Sequence, residues 1–161
     1  MTAATTMPGP QAVPGRQEAI DLFERIRQLS FDGVGVSRES YGPTETAALD
    51  ALVEWAGGHG IAAQTDPAAN VVFSLAQAGG QAPIVCGSHM DSVPQGGNYD
   101  GLAGVIAGLL CLKRLKDEGV RLAHPLWVAG MRGEESAWFG KAYMGSSAIL
   151  GKLRADDLAL R

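Results

Sequence analysis

Apolar residues recur along the chain at helical spacing in four stretches, and each stretch predicts an α-helix with one buried face. These stretches cover residues 16–29, 44–56, 102–118 and 143–150. Two shorter runs, at 61–64 and 70–75, are β-like in composition and lie on either side of the turn signal Thr65-Asp66-Pro67. We therefore expect these two runs to pair with each other as edge strands.

Two further apolar runs flank the third predicted helix and complete a βαβ unit. The run at 84–86 lies between Pro83 and Gly87 and predicts a buried strand, and the run at 126–129 predicts a second strand. Open α/β sheets bind their ligands at the carboxyl ends of parallel strands, so the residues that follow these two runs should converge. The predicted fold class is α/β, with a partly parallel sheet flanked by helices.

Five ionisable residues follow the two predicted strands: His89, Asp91, Asp100, Glu134 and Glu135. Imidazole and carboxylate without cysteine form a ligand set suited to Zn, Mn or Co in a catalytic site. Asp91 lies two residues after His89, where it can fix the imidazole tautomer that binds metal. Asp100 has two oxygens with which to bridge two cations, and one of the adjacent glutamates can bind metal while the other accepts a proton.

Each part of this pattern also has a structural interpretation. A single His at a strand end is usually structural, and adjacent glutamates usually form a solvated face. We favour a metal site because all five residues fall in the two loops that one βαβ unit would bring together. Arg132 stays open, since it either binds substrate or neutralises the two glutamates beside it. His59 and His124 are predicted to be structural.

Composition limits the classes of function. The chain is 46% hydrophobic and 19% charged, with a net charge of -4 and a pI near 5.3, as expected for one globular domain with no basic patch for nucleic acid and no polybasic segment for a membrane. We expect a cytoplasmic protein in which residues 1–15 are a disordered tail and 16–161 form the folded part. Cys86 and Cys111 are predicted to be buried free thiols.

Three motifs resemble the M20 metallopeptidase-like family, and within it the amidases that hydrolyse N-carbamoyl amino acids, ureidoglycine-type compounds and allantoate. They are GSHMDSV at 87–93, GGNYDG at 96–101 and RGEES at 132–136. Three more segments are similar to the same branch, namely FDGVG at 31–35, YGPTET at 41–46 and WFG at 138–140. The resemblance therefore covers nearly everything after the tail.

The resemblance implies a zinc-aminopeptidase-like α/β catalytic domain, of which this chain is the N-terminal half. It implies two divalent metal ions, with His89 binding the first, Asp100 bridging both and Glu135 binding the second. Glu134 would be the general base, and Asp91 would hold His89 in place. The implied reaction is hydrolysis of a linear, non-peptide C–N bond in a small carbamoyl or ureido substrate. The peptide bond after Asp100 would be cis.

The chain also departs from the family. Two further His ligands, and the lid or dimerisation domain of the homodimeric family members, have no counterpart in the 161 residues. With three of five ligands, we expect at most one weakly bound metal ion and a fragment that is inactive alone. Ser147 replaces a usual Arg, and Ala69 a usual Gly. The alternatives are an M20 exopeptidase or deacylase, and a non-catalytic remnant or interaction module.

Overall fold

A computed structural model of the protein describes residues 14–76 and 81–159. The helices are α1 (Arg16–Ser30), α2 (Pro43–Gly58), α3 (Leu102–Asp117) and α4 (Met144–Ile149), followed by a short 3₁₀ helix over Ala155–Ala159. The strands are β1 (Ala62–Thr65), β2 (Val71–Ser74), β3 (Ile84–His89) and β4 (Leu126–Met131). Apart from Pro14 and Gly15, the predicted tail lies outside the described residues.

The four strands form one mixed sheet in the order β1-β2-β4-β3. β3 and β4 are parallel and in register from Ile84 opposite Leu126 to His89 opposite Met131. β2 is antiparallel to both β1 and β4. The predicted α/β class and βαβ unit are confirmed. The predicted pairing of β1 with β2 is also correct, but of these two strands only β1 lies at an edge of the sheet, because β2 pairs with β4 on its other side.

The hydrophobic core lies between the sheet and helices α1, α2 and α3. Its fully buried side chains come from all of these elements, including Ile26, Leu52, Phe73, Leu109 and Val128. Burial of each such side chain contributes about 1.5–3 kcal/mol, so the helices hold the sheet, and with it the strand ends, in a fixed place. Among the described residues, no helix combines the length and the apolar character that crossing a membrane requires.

β3 differs from its prediction as a buried strand. It lies at the edge of the sheet, and Ile84 and Val85 are 59% and 54% exposed. An apolar run predicts that a strand forms, but its burial depends on what pairs beside it, and β4 is the only neighbour of β3 within the described residues. Cys86 and Cys111 are free, as predicted, but exposed rather than buried, because Cys86 lies on this edge strand and Cys111 lies outside the core.

Candidate metal centre

The parallel pairing of β3 with β4 brings the two predicted loops together. His89 is the last residue of β3, and Glu134 and Glu135 follow the end of β4. One ligand atom from each of these three residues lies within 4.8 Å of the others. The Nε2 atom of His89 is 3.7 Å from a carboxylate oxygen of Glu134. The strand ends thus place one imidazole and two carboxylates in a single cluster.

The imidazole of His89 is oriented by Asp91. Its Nδ1 atom lies 3.0 Å from the backbone carbonyl oxygen of Asp91 and 3.3 Å from the Asp91 carboxylate. Because a carbonyl oxygen only accepts hydrogen bonds, Nδ1 carries the proton in this contact. The lone pair of the neutral ring is therefore on Nε2, which faces the carboxylates of Glu134 and Asp100.

Asp91 also fixes the loop that carries the two glutamates. Its carboxylate is fully buried and accepts hydrogen bonds from the Ser40 hydroxyl at 2.6 Å and from the backbone N–H groups of Glu134 and Glu135 at 3.0 and 2.9 Å. Burial raises the pKa of Asp91, but the hydrogen bonds from His89, Ser40 and the two N–H groups outweigh it and lower that pKa overall. The ionised carboxylate of Asp91 thus connects the ends of the two parallel strands through hydrogen bonds.

Asp100 lies at the border of the cluster. Its carboxylate is 3.7 Å from Nε2 of His89, but its side chain is 68% exposed and is not part of the group of three. The peptide bond after Asp100 is trans, not the cis bond implied by the family resemblance. The role of Asp100 as a bridging ligand stays a prediction, as do the assigned roles of His89, Glu134 and Glu135.

The charges of the cluster change the proton affinity of its members. Burial lowers the pKa of His89, but the contacts with Asp91 and the charge of Glu134 outweigh this effect and raise the pKa overall. Burial and the neighbouring Glu134 carboxylate raise the pKa of Glu135. A cation that binds here must therefore compete with protons, which makes its affinity dependent on pH.

Arg132 does not neutralise the two glutamates beside it, which was one of the two interpretations of the sequence. Its Nε atom donates to the carboxylate of Glu45 at 2.6 Å, and a second nitrogen donates to the Thr46 hydroxyl at 2.8 Å. The guanidinium also lies 5.1 Å from the centre of the Tyr41 ring. Arg132 is nearly buried and connects the end of β4 to the beginning of α2.

Two charged residues near the site were not assigned a role from the sequence. Glu45, the partner of Arg132, lies within the YGPTET motif, and this motif was the available signal. Arg38 is completely buried against the 90–98 loop, and nothing in its polar sequence neighbourhood indicated this burial. His59 and His124 each contact a backbone carbonyl, of Trp55 and Ala82 respectively, in agreement with structural roles.

A small cavity of about 110 Å³ opens beside the cluster. Its walls include His89, Glu134, Tyr143 and Ser146. The backbone N–H of Tyr143 donates to the carbonyl oxygen of Glu134 at 3.0 Å, which ties the start of α4 to the glutamate loop. The cavity therefore adjoins two of the residues predicted to form the site, His89 and Glu134.

Comparisons with known proteins show which family the chain is similar to. Residues 85–160 match the model of Peptidase family M20/M25/M40. The chain is 32% identical over 145 residues to an N-carbamoyl-L-amino acid amidohydrolase from Geobacillus stearothermophilus, an alignment that covers 87% of this chain and 36% of the relative. It is 35% identical over 152 residues to an allantoate amidohydrolase from Bacillus subtilis, which covers 91% of this chain and 36% of the relative.

The fold is similar to that of solved amidases. A hydantoinase/carbamoylase family amidase from Burkholderia ambifaria superimposes with a TM-score of 0.77 at 30% identity, over 89% of this chain and 36% of the amidase. The matched part of the chain belongs to the M20 family, and the resemblance to its amidase branch is confirmed. The chain spans about a third, 36%, of the length of the relatives described above.

Proposed function

We propose that this chain carries part of the catalytic site of a metal-dependent hydrolase of linear, non-peptide C–N bonds. The substrates would be N-carbamoyl-L-amino acids, ureido acids or allantoate, in keeping with the names of the relatives. The supporting observation is the cluster of His89, Glu134 and Glu135 at the ends of two parallel strands. On this proposal, residues 16–161 form part of an M20-type catalytic domain.

The residues of the cluster fit a divalent cation. The cluster offers an imidazole nitrogen whose tautomer is set by Asp91, together with carboxylate oxygens, and contains no thiolate. Such a mixed nitrogen and oxygen set suits Zn, Mn or Co in a catalytic centre, where the protein leaves coordination positions open. We propose that His89 and Glu135 hold the ion and that Asp100 supports it from the border of the cluster.

A bound divalent ion would polarise the carbamoyl oxygen and lower the pKa of a water molecule. Glu134 accepts the proton of the attacking water and passes it to the leaving nitrogen, as a general base and then a general acid. Asp91 keeps the imidazole of His89 in the ligand tautomer and holds both glutamates by their backbone N–H groups. With an N-carbamoyl amino acid, one water molecule is consumed, and the amino acid, carbon dioxide and ammonia are released.

The proposal is tested by calorimetric titration of the purified chain with Zn²⁺, Mn²⁺ and Co²⁺. We expect binding near one equivalent that His89→Ala and Glu135→Gln remove and Asp100→Asn weakens. His59→Ala is the matched control, because this imidazole contacts the carbonyl of Trp55 and lies outside the cluster. Binding that is absent, or that is equal in all variants, overturns the metal site.

Turnover is measured on the same samples as ammonia release from N-carbamoyl-L-amino acids and allantoate. Release that depends on added metal and is lost in Glu134→Gln supports the hydrolase. Metal binding without any release is the result expected of a fragment that is inactive alone. A metal-binding module without catalysis is favoured only if release is also absent when the C-terminal part of a homologous amidase is supplied in trans. Release from N-acyl or dipeptide substrates alone favours the exopeptidase or deacylase alternative.

A further inference from the structure

Arg38 is a charged residue buried without an ion pair. Its side chain is 0% exposed, and among the described residues it forms no salt bridge. Burial lowers the pKa of Arg38, and the charges of Asp91, Glu45 and Asp100 offset this effect only in part. Burial of a cation without a paired anion lowers the stability of the fold. The contacts of Arg38 should therefore compensate for this loss.

The first set of contacts joins Arg38 to the residues on both sides of Asp91. Its Nε atom donates to the carbonyl oxygen of Met90 at 2.7 Å. Its backbone N–H donates to the Ser92 hydroxyl at 3.0 Å, and its carbonyl oxygen accepts from the backbone N–H of Ser92 at 3.0 Å. Three hydrogen bonds thus hold the segment that follows His89.

A further contact reaches the loop that leads to Asp100. One terminal nitrogen of Arg38 lies 3.5 Å from the side-chain oxygen of Asn98, the limit of a hydrogen bond. Asn98 in turn donates to the backbone carbonyl of Phe23 in α1 at 3.0 Å. The other terminal nitrogen, Nη2, has no protein partner among the described residues. The guanidinium therefore spans from the His89 and Asp91 segment to the Asp100 loop.

Residues on both sides of Arg38 also form hydrogen bonds with the 90–98 loop. Two residues before it, the backbone N–H and carbonyl of Val36 pair with the carbonyl and N–H of Gly96. Two residues after it, the Ser40 hydroxyl donates to the carboxylate of Asp91 at 2.6 Å. The segment 36–40 thus lies along the 90–98 loop, with Arg38 at its centre.

We propose that Arg38 is a positioning residue that holds the His89 and Asp91 segment at a fixed separation from the Asp100 loop. Among the described residues, the side chain of Arg38 hydrogen-bonds to Met90 and Asn98 and to none of the proposed metal ligands, so it acts through these two residues. Its value for catalysis rests on the proposed function, since a fixed separation matters when these loops share a cation. The hydrogen bonds by which Arg38 connects the two loops are present in the metal-free chain, so their effect on the loops is measured on that chain.

The first experiment is native-state amide hydrogen exchange on the full metal-free chain. Arg38→Lys keeps the charge but removes the planar fork, and Asn98→Ala removes the far partner without touching Arg38. In both variants we expect exchange to rise about tenfold or more, which corresponds to a loss of about 1.4 kcal/mol of local stability, within residues 90–101. Exchange in α3 and β4 should stay unchanged. Arg25→Lys, an exposed arginine on α1, is the matched control.

The second experiment compares Zn²⁺ affinity and the visible spectrum of the Co²⁺ form for wild type and the same variants. Loss of groups that orient ligands typically lowers metal affinity 10–100-fold, and we expect Arg38→Lys to fall in this range with an altered Co²⁺ spectrum. A wild-type chain that binds no metal overturns the proposed function and leaves the exchange result to decide on Arg38. Unchanged exchange at 90–101, or an equal rise throughout the chain, overturns the positioning role.

Discussion

At the scale of single residues, the backbone of Gly101 determines how closely the Asp100 loop approaches His89. Gly101 has a φ of 65°, and a Cβ atom built on it would lie 2.6 Å from Nδ1 and Cε1 of the His89 ring and 2.5 Å from its carbonyl oxygen. A side chain at this position would push against both the ring and the backbone of β3. The orientation of the imidazole therefore depends on a neighbour without a side chain.

Gly101→Ala should both displace the His89 ring and strain the backbone of the Asp100 loop. We expect the free energy of unfolding to fall by about 1–3 kcal/mol, measured by urea unfolding, because alanine is disfavoured at positive φ and meets the ring. Metal affinity should fall with it in calorimetry. Gly97→Ala is the control, because a Cβ atom added there would have no neighbour within 4 Å and the φ of Gly97 is not positive. Equal behaviour of the two variants contradicts this account.

The residues of the cluster could be predicted because they follow apolar runs whose pairing places their ends together. His89, Glu134 and Glu135 needed only the pattern of strand, helix and strand. The partner of Arg132 could not be predicted in the same way, since Glu45 lies 87 positions earlier in the chain and only the tertiary fold joins them. Arg38 was missed for the same reason, because its contacts lie 52 to 60 positions away.

At the scale of elements, the pair formed by Glu45 and Arg132 connects the beginning of α2 to the end of β4. The Glu45 carboxylate is fully buried and also accepts from the backbone N–H groups of Tyr41 and Gly133 at 2.7 and 3.2 Å. Gly133 precedes the two glutamates, so this pair supports the same loop that Asp91 holds from the other side. Removal of one partner of such a buried pair typically costs about 3–5 kcal/mol.

Glu45 should give the fold a measurable pH dependence. Burial, opposed by Arg132, raises the pKa of Glu45 from 4.5 to about 6, so the folded state binds this proton more tightly than the unfolded state. Its contribution to stability is complete below pH 4.5 and is lost as the pH rises through about 6, a change of about 2 kcal/mol.

Urea unfolding at pH 4.5 and pH 7 tests this expectation. The decrease in stability between the two pH values should be about 2 kcal/mol smaller in Glu45→Gln than in wild type, because glutamine does not titrate. Glu54→Gln, at a site where the side chain is 73% exposed, should keep the wild-type decrease. If the free energy of unfolding falls as much between the two pH values in Glu45→Gln as in wild type, other groups are responsible for the pH dependence.

β3 shows that a local sequence pattern determines whether a strand forms but not whether it is buried. The sequence predicted that β3 forms and that it runs parallel to β4, because a helix of suitable length joins them. It predicted burial wrongly, because burial depends on the strand order, and the short β1 and β2 occupy the other side of β4. Strand order depends on long-range pairing, and a period of two residues carries no information about it.

At the scale of the whole molecule, the outer edge of β3 pairs with no strand within the part of the chain that the structure describes, which leaves it available for association. β3 contains no lysine, arginine, aspartate or glutamate, and Ile84 and Val85 are both more than half exposed. Edge strands with exposed apolar side chains and without charge are templates for pairing with another chain. We therefore expect the chain to associate with itself as its concentration rises.

Sedimentation at several concentrations tests this expectation. Val85→Lys places a charge on the edge strand and should shift the distribution towards monomer. Val34→Lys is the matched control, because Val34 is 73% exposed but belongs to the turn after α1. A wild-type chain that stays monomeric at all concentrations contradicts self-association. A Val34→Lys variant that dissociates as readily would show that added charge alone is responsible.

The position of β4 also has a consequence for biosynthesis. β4 is the last of the four strands in chain order, yet it lies between β2 and β3 and pairs with both. Among the described strands, only β4 pairs with β3. While a ribosome makes the protein, β3 therefore lacks this partner, and the β1–β2 hairpin lacks its neighbour in the sheet, until residues 126–131 have emerged. An isolated hairpin is marginally stable in water, so chaperones that recognise extended apolar segments should meet this nascent chain at β3.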